Sequence, residues 1–293
     1  MRRWIEIGAF VPKVISSAGG FEMGSVNTRQ LVPFITHEYE RFALSSAESI
    51  LVANLESDIH GLTGWPLLKM YYSAFFAAHA IMRSQGAGVT KLEKKQAAKI
   101  NSFLALLGEH DETVTAGMYL YQLDISQRSG PIVTFTPHEP GAGVHESFWN
   151  SFCDHLDGHA KTAVRSGTVD ATAIVTGSEE VCRAIRGSSS HAGAWLSTMR
   201  NQINYQHQHS VWFPLKRRNK VKELLSGLQI QPSKLAKLAA SPKTHPVQAF
   251  AEATFYLACL NIDVAEVIAT RSSKGNAFGP KWKRIRALVK SGH

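Results

Sequence analysis

Apolar residues recur at helical spacing along most of this chain. After Thr36, the stretch HEYERFALSSAESILVANLESDI places Phe42, Ile50, Leu51, Leu55 and Ile59 near a 3.6-residue period, with Thr36 positioned to cap the first turn. A turn with Pro66 at a first-turn position then leads into PLLKMYYSAFFAAHAIMRSQG, apolar on nearly every side as far as Gly86. A helix of that kind belongs at the centre of a bundle or beneath a partner. Lys91 to Leu107 is amphipathic and stops at Gly108, and a shorter helix is expected at Thr113 to Gln122. His145 to Val164 reads as helix and Gly167 to Gly177 as a connector. Ser178 then caps a helix carrying Val181, Cys182 and Ile185. From about His191, the stripe Ala192, Trp195, Leu196, Met199 and Ile203 predicts a helix reaching at least Tyr205, and Pro214 stops whatever remains. Val221 to Leu228 predicts a short helix, 229 to 246 a proline-punctuated connector, and Val247 to Thr270 a long apolar helix.

Two segments break the helical pattern. The first 35 residues, with Gly19-Gly20, are compatible with a short strand or an irregular packed arm. Ser129 to Gly143, SGPIVTFTPHEPGAG, contains three prolines and a β-favouring run, which predicts a long loop or small hairpin. The expected class is therefore all-α. A helical domain over 36–270 is flanked by an N-terminal arm, 1–35, and a basic C-terminal tail, 271–293.

Composition adds a compartment and a partner class. The 293 residues are 44% hydrophobic, enough for a sizeable core, and no run approaches the roughly 18 uninterrupted apolar residues of a membrane span. The start, MRRWIEIGAFVPK, lacks the apolar core of a secretory leader. Cys153, Cys182 and Cys259 lie far apart with no CxxC pair, which suits buried thiols in a reducing compartment. These features predict a cytoplasmic protein without a membrane partner. The formal charge of +9 is concentrated in two clusters. One holds Lys216, Arg217, Arg218, Lys220 and Lys222; the other runs from Arg271 to Lys290 through Lys274, Lys281, Lys283, Arg284 and Arg286, without an acid. Lys216, Arg217, Arg218, Lys220, Lys283, Arg284 and Arg286 are the candidates to neutralise a nucleic-acid backbone.

The candidate chemistry lies in MRNQINYQHQHSVWFP, Met199 to Pro214. On a continuous helix, residues seven apart differ by about 20° in direction, so Arg200 and His207 would share one face with Asn204 between them. A core helix has no energetic reason to align Arg, Asn and His in one row unless they meet solvent, a partner or a ligand.

Arg200-Asn201 followed by His207 resembles the R-x(4–6)-H signature of the HEPN superfamily, in which a polar residue, often Asn, follows the Arg. The upstream YYSAFFAAHAIMRSQG also resembles a HEPN helix, Tyr-rich and Ala-rich and ending in Gly. The resemblance extends loosely over Thr36 to Thr270. It implies a helical bundle pairing as a homodimer, with two copies of the motif in one cleft. It also implies a metal-independent endoribonuclease, without a cofactor, in an antiphage-defence or toxin setting. Carried onto this sequence, His207 is the general acid/base, Arg200 the phosphate clamp and Asn201 the residue that orients one of them. Such chemistry suits these side chains, because RNA supplies its own 2′-hydroxyl nucleophile. What remains is a proton carrier that titrates near neutrality and a permanent, forked cation for the phosphorane. The expected products are a 2′,3′-cyclic phosphate and a 5′-hydroxyl. His209, with Asn204 a secondary candidate, leaves open which imidazole serves. Relatives of this kind also include inactive nucleic-acid-binding or regulatory modules, and an antitoxin or sensor subunit is a further possible partner. A third reading is an interaction protein whose apolar helix, Leu67 to Met82, is covered by another polypeptide.

Other motifs point nowhere else. His155 and His159 stand one helical turn apart beside Cys153, a spacing open to a metal but more consistent with a histidine-rich helix surface. The chain contains no H-E-x-x-H, no P-loop and no G-x-S-x-G elbow. Tyr71, Tyr72, Phe75 and Phe76 form an aromatic block expected in a core or an interface.

Overall fold

A computed structural model describes residues 1–15, 19–25, 28–57, 63–108, 113–127, 130–138, 143–187, 195–212, 246–272 and 277–291. The described elements in chain order are α1 (Arg2–Ile7), β1 (Phe10–Ile15), β2 (Phe21–Ser25), α2 (Thr28–Ser57), α3 (Gly64–Ser84), β3 (Ala87–Leu92), α4 (Lys94–Leu106), β4 (Gly117–Asp124), β5 (Ile132–Pro137), α5 (Val144–Arg165), α6 (Ala171–Arg186), α7 (Trp195–Asn204), α8 (Pro246–Arg271) and α9 (Phe278–Ser291). The chain divides into two compact units. One comprises Met1–Arg41 and His79–Gly143, the other Phe42–Ala78 and Val144–His293.

The all-α expectation is overturned by the first unit. Five strands form a fully antiparallel sheet in the order β1-β2-β5-β4-β3. Met23 pairs with Val133 and Tyr121 with Phe135, so inward-facing residues meet across neighbouring strands. Phe21, stacked on Phe135 with ring centroids 4.6 Å apart, joins Met23, Tyr119, Tyr121 and Val133 on the buried face. That face is covered by Trp4 and Ile5 of α1, Leu31 and Ile35 of α2, and Ala97, Ile100 and Leu104 of α4. Each large apolar side chain removed from water there contributes roughly 1.5–3 kcal/mol. The segment 113–122, expected as helix, instead enters β4. The expected loop around 129–143 holds β5, which lies between β2 and β4. The arm expected at 1–35 holds α1, β1, β2 and the first turns of α2.

Inside the same unit, Arg83 is almost fully buried and completely satisfied. Its Nε donates to Glu38 Oε2 at 2.9 Å, Nη1 to the His79 carbonyl at 3.1 Å and Nη2 to the Val89 carbonyl at 3.2 Å, and the guanidinium lies over the Tyr121 ring. Glu38 also accepts from the α-amino group of Met1. Burial works against the charge of this carboxylate, but Arg83 and the amino group outweigh it and hold its pKa below the usual value.

The second unit is helical among its described residues. Tyr71 of α3 stacks near Phe250 of α8, with ring centroids 6.1 Å apart, and Phe75 packs against Phe148 of α5 at 4.7 Å. Ser73 Oγ donates to the Ser46 carbonyl at 2.7 Å, and Asn261 Nδ2 to the Ala43 carbonyl at 3.2 Å, joining α3 and α8 to the Phe42–Ser57 part of α2. α8 is the one described helix long and apolar enough to cross a membrane, yet its Phe250, Phe255, Thr254 and Asn261 are buried in this unit as a core helix would bury them. Helix boundaries also shift. Thr36 is not a cap, because α2 begins at Thr28 and the Thr36 hydroxyl donates to the carbonyl of Val32 within the helix. Ser178 sits inside α6, which starts at Ala171 in the expected connector. Cys153 and Cys182 are buried and Cys259 half-buried, all as free thiols.

Candidate functional site

The short helix α7 buries Leu196, Met199 and Ile203, and this stripe sets Arg200 and Asn201 at the edge of the packed face. Arg200 Nη2 donates to the Tyr72 hydroxyl at 2.7 Å, and Nη1 donates to Asn201 Oδ1 at 2.8 Å. The guanidinium lies over two rings, 5.7 Å from the centre of Tyr72 and 5.1 Å from that of Tyr205. Its Nε is buried without a hydrogen-bond partner among the described residues. Burial works against the charge, but the bond to Tyr72 raises the pKa further, so the group stays a cation.

The expected pairing of Arg200 with His207 on one helical face does not form, because α7 ends at Asn204. The reason is local. The last-turn carbonyl of Ile203 accepts the indole N–H of Trp212 at 2.6 Å, and the Thr63 hydroxyl fixes the Val211 carbonyl at 2.6 Å, so the chain must fold back within a few residues. It does so through His207, His209 and Ser210, all with positive φ (52°, 67° and 50°). His207 ends up exposed, its ring 5.7 Å from that of Trp212, and no hydrogen bond joins it to Arg200. His209 turns back to α7 instead, where its Nε2 shares a 2.9 Å hydrogen bond with Gln202 Oε1. Asn204 is half-buried on the final turn, no longer between Arg200 and His207 on a continuous helix.

A different histidine stands near Arg200. His145, in the first turn of α5, lies among Tyr71, Tyr72 and Phe75, with ring centroids at 5.7, 6.2 and 4.6 Å. Its Nδ1 and the Tyr71 hydroxyl are 2.9 Å apart, and that hydroxyl accepts the indole N–H of Trp149 at 3.1 Å. Burial first, and then the positive charge of Arg200, lower the His145 pKa, so the imidazole is held neutral. The sequence reading passed over His145 and Tyr72. The available signal was the spacing of His145 and Trp149, one turn apart on an amphipathic helix, opposite the Tyr71-Tyr72 pair.

Of the expected backbone-binding cations, Lys283 and Arg284 are exposed on α9, whereas Arg286 pairs with Glu266 at 2.6 Å. Lys216, Arg217, Arg218 and Lys220 lie outside the described residues. His155 and His159 meet edge to face on α5, with ring centroids 4.6 Å apart, and among the described residues no three metal-binding side chains gather. No known protein family, curated protein or solved structure matches the chain.

Proposed function

We propose that this chain is a metal-independent endoribonuclease of HEPN type, acting on RNA in the cytoplasm as a homodimer in a defence or toxin setting. The observation that carries this reading is Arg200. Its guanidinium is half-buried, oriented by Tyr72 and Asn201, and paired with no carboxylate among the described residues. A protein that keeps such a charge uncompensated forfeits stability, and an anionic ligand restores it. In the reaction, the 2′-hydroxyl loses its proton to a base and attacks phosphorus. Arg200 neutralises the charge growing on the non-bridging oxygens, and the 5′-oxygen leaves as a hydroxyl after protonation. Exposed Lys283 and Arg284 are suited to the backbone beyond the cut.

The fold-back at His207 favours a second reading, a nucleic-acid-binding module that does not cut. One assay separates the two: total cellular RNA incubated with the protein in excess EDTA, beside Arg200→Ala and His207→Ala, read by end-group analysis. The nuclease reading expects cyclic phosphate ends that fall at least about 100-fold in Arg200→Ala. RNA left intact but bound, with binding weakened by Arg200→Ala, selects the module.

A further inference from the structure

Among the described residues, the hydrogen bonds around Arg200 use up the acceptors they involve and leave donors over. Tyr71 sets the order. Burial raises its pKa far above the usual tyrosine value, so its hydroxyl keeps its proton. Its oxygen already accepts from Trp149, so the proton is directed to the one remaining neighbour, Nδ1 of His145. A neutral imidazole that accepts at Nδ1 carries its hydrogen on Nε2. That N–H has no partner among the described residues. Tyr72 is arranged likewise: its oxygen accepts from Arg200, and its own O–H has no acceptor among the described residues. Asn201 turns its carbonyl oxygen to Arg200, which uses that acceptor. Among the described residues, no carboxylate is bonded to Arg200, Tyr72, His145 or Asn201. The first turn of α5, on which His145 stands, adds the positive end of a 22-residue helix.

We infer that Arg200, the Tyr72 hydroxyl and His145 Nε2–H together bind one phosphate group, with the Trp149–Tyr71 chain fixing the tautomer that makes His145 a donor. A phosphate presents up to four acceptor oxygens and no obligatory donor, which complements one cation and two neutral donors. A carboxylic acid or amide ligand would supply fewer acceptors or a competing N–H. This inference rests on the reading of Arg200 as a phosphate ligand, but not on cleavage. Tyr71 and Trp149 touch no phosphate in this arrangement and act as positioning residues.

The test is a titration of the full chain, labelled with 15N in its histidines, followed by the His145 ring-nitrogen signals at pH 7.5 and constant ionic strength. Two probes distinguish the source of the phosphate: inorganic phosphate, and a short 2′-deoxy oligonucleotide that cannot be cut by 2′-hydroxyl attack. Both are expected to shift Nε2 of His145. Before any probe is added, the wild type is expected to show the Nε2–H tautomer, and Tyr71→Phe a mixture of tautomers. Tyr72→Phe keeps the ring and is expected to weaken binding roughly tenfold, as is His145→Gln, while Arg200→Ala abolishes it. His159→Gln, on the same helix, leaves binding unchanged. His145 signals that move with neither probe, or Tyr72→Phe and His145→Gln proteins that bind as tightly as wild type, would overturn the inference, even if RNA is cut in EDTA. Phosphate bound as described by a protein that cuts no RNA would instead sustain the site and overturn the nuclease. A shift with the oligonucleotide alone restricts the site to polynucleotide phosphate, and a shift with both extends it to the free anion.

Discussion

Among the described residues, Arg83 and Arg200 both lie over tyrosine rings, one in each unit, and they are treated in opposite ways. Arg83, in the sheet unit, covers Tyr121 and spends its donors on Glu38 and two carbonyls. Arg200, in the helical unit, covers Tyr72 and Tyr205 and, among the described residues, bonds only to a hydroxyl and an amide oxygen. Among the described residues, only the first of the two has a carboxylate partner. A compensated buried cation is part of the scaffold; an uncompensated one is stored electrostatic potential waiting for an anion. The contrast is what sets Arg200 apart from Arg83 as the candidate for binding an anion.

The largest effect that tests this contrast is on the sheet unit. Arg83→Met leaves Glu38 short of its principal partner in a mostly buried place, and the expected loss is about 3 kcal/mol of unfolding free energy, measured by urea denaturation. Adding Glu38→Gln returns part of that loss, because the orphaned charge is gone. Arg200→Ala should behave in the reverse manner. Its unfolding free energy stays within about 1 kcal/mol of wild type while RNA cleavage in EDTA falls about 100-fold or more. Equal destabilisation by the two substitutions would erase the distinction.

Acid provides the next test, because the two units titrate through different groups. Burial, with His159 beside it, pushes the pKa of His155 in α5 down to about 4. A histidine whose folded pKa is depressed binds fewer protons folded than unfolded. Its contribution is therefore complete above the unfolded value near 6.5 and is lost as pH falls from there towards 4. The helical unit should lose roughly 2–3 kcal/mol over that window. Glu38 has the opposite linkage. Its folded pKa lies below its ordinary value, so the sheet unit keeps that contribution until pH falls below about 4.5 and through the folded pKa. Between pH 6.5 and 4.5 the loss carried by His155 falls on the helical unit, seen as urea-dependent proteolysis of α5 and its neighbours, and His155→Gln should reduce it.

How much of this was legible in the sequence follows the range of the interactions involved. The long helices were readable because their apolar stripes are local, as in Val247 to Thr270, which falls within α8. The sheet was not, since each of its strands hides its period. β3 is buried on both faces except at Lys91, so AGVTKL shows no alternation. β1 contains Pro12 at the sheet edge, with a break in register between Pro12 and Val14. β4 alternates Tyr119 and Tyr121 inward, but over eight residues Met, Leu and Tyr also satisfy a helical pattern. The candidate site divides in the same way. Arg200 and Asn201 stand out as adjacent polar residues beside an apolar stripe, whereas Tyr72 meets Arg200 across 128 positions and His145 joins through its bond to Tyr71, 74 positions before it. The end of α7 depends on Trp212 and Thr63 and could not be read from Arg200 to His207 alone.

The smallest effect probes that fold-back. His207 holds φ at 52°, a region costly to most L-residues and free to glycine, and its backbone is pinned on the far side by Val211 and Trp212. Relief of the left-handed conformation and the extra chain entropy of glycine nearly offset one another, so His207→Gly should stabilise the helical unit by at most about 1 kcal/mol. The value of the substitution lies in pairing that small gain with activity. If His207 carries the proton, cleavage falls steeply in a protein that is, if anything, more stable, and the strained turn is explained as the cost of presenting an imidazole. If cleavage is retained, His207 is not the proton carrier. The turn would then be a consequence of anchoring Val211 and Trp212, and the motif spacing between Arg200 and His207 would have no mechanistic content here.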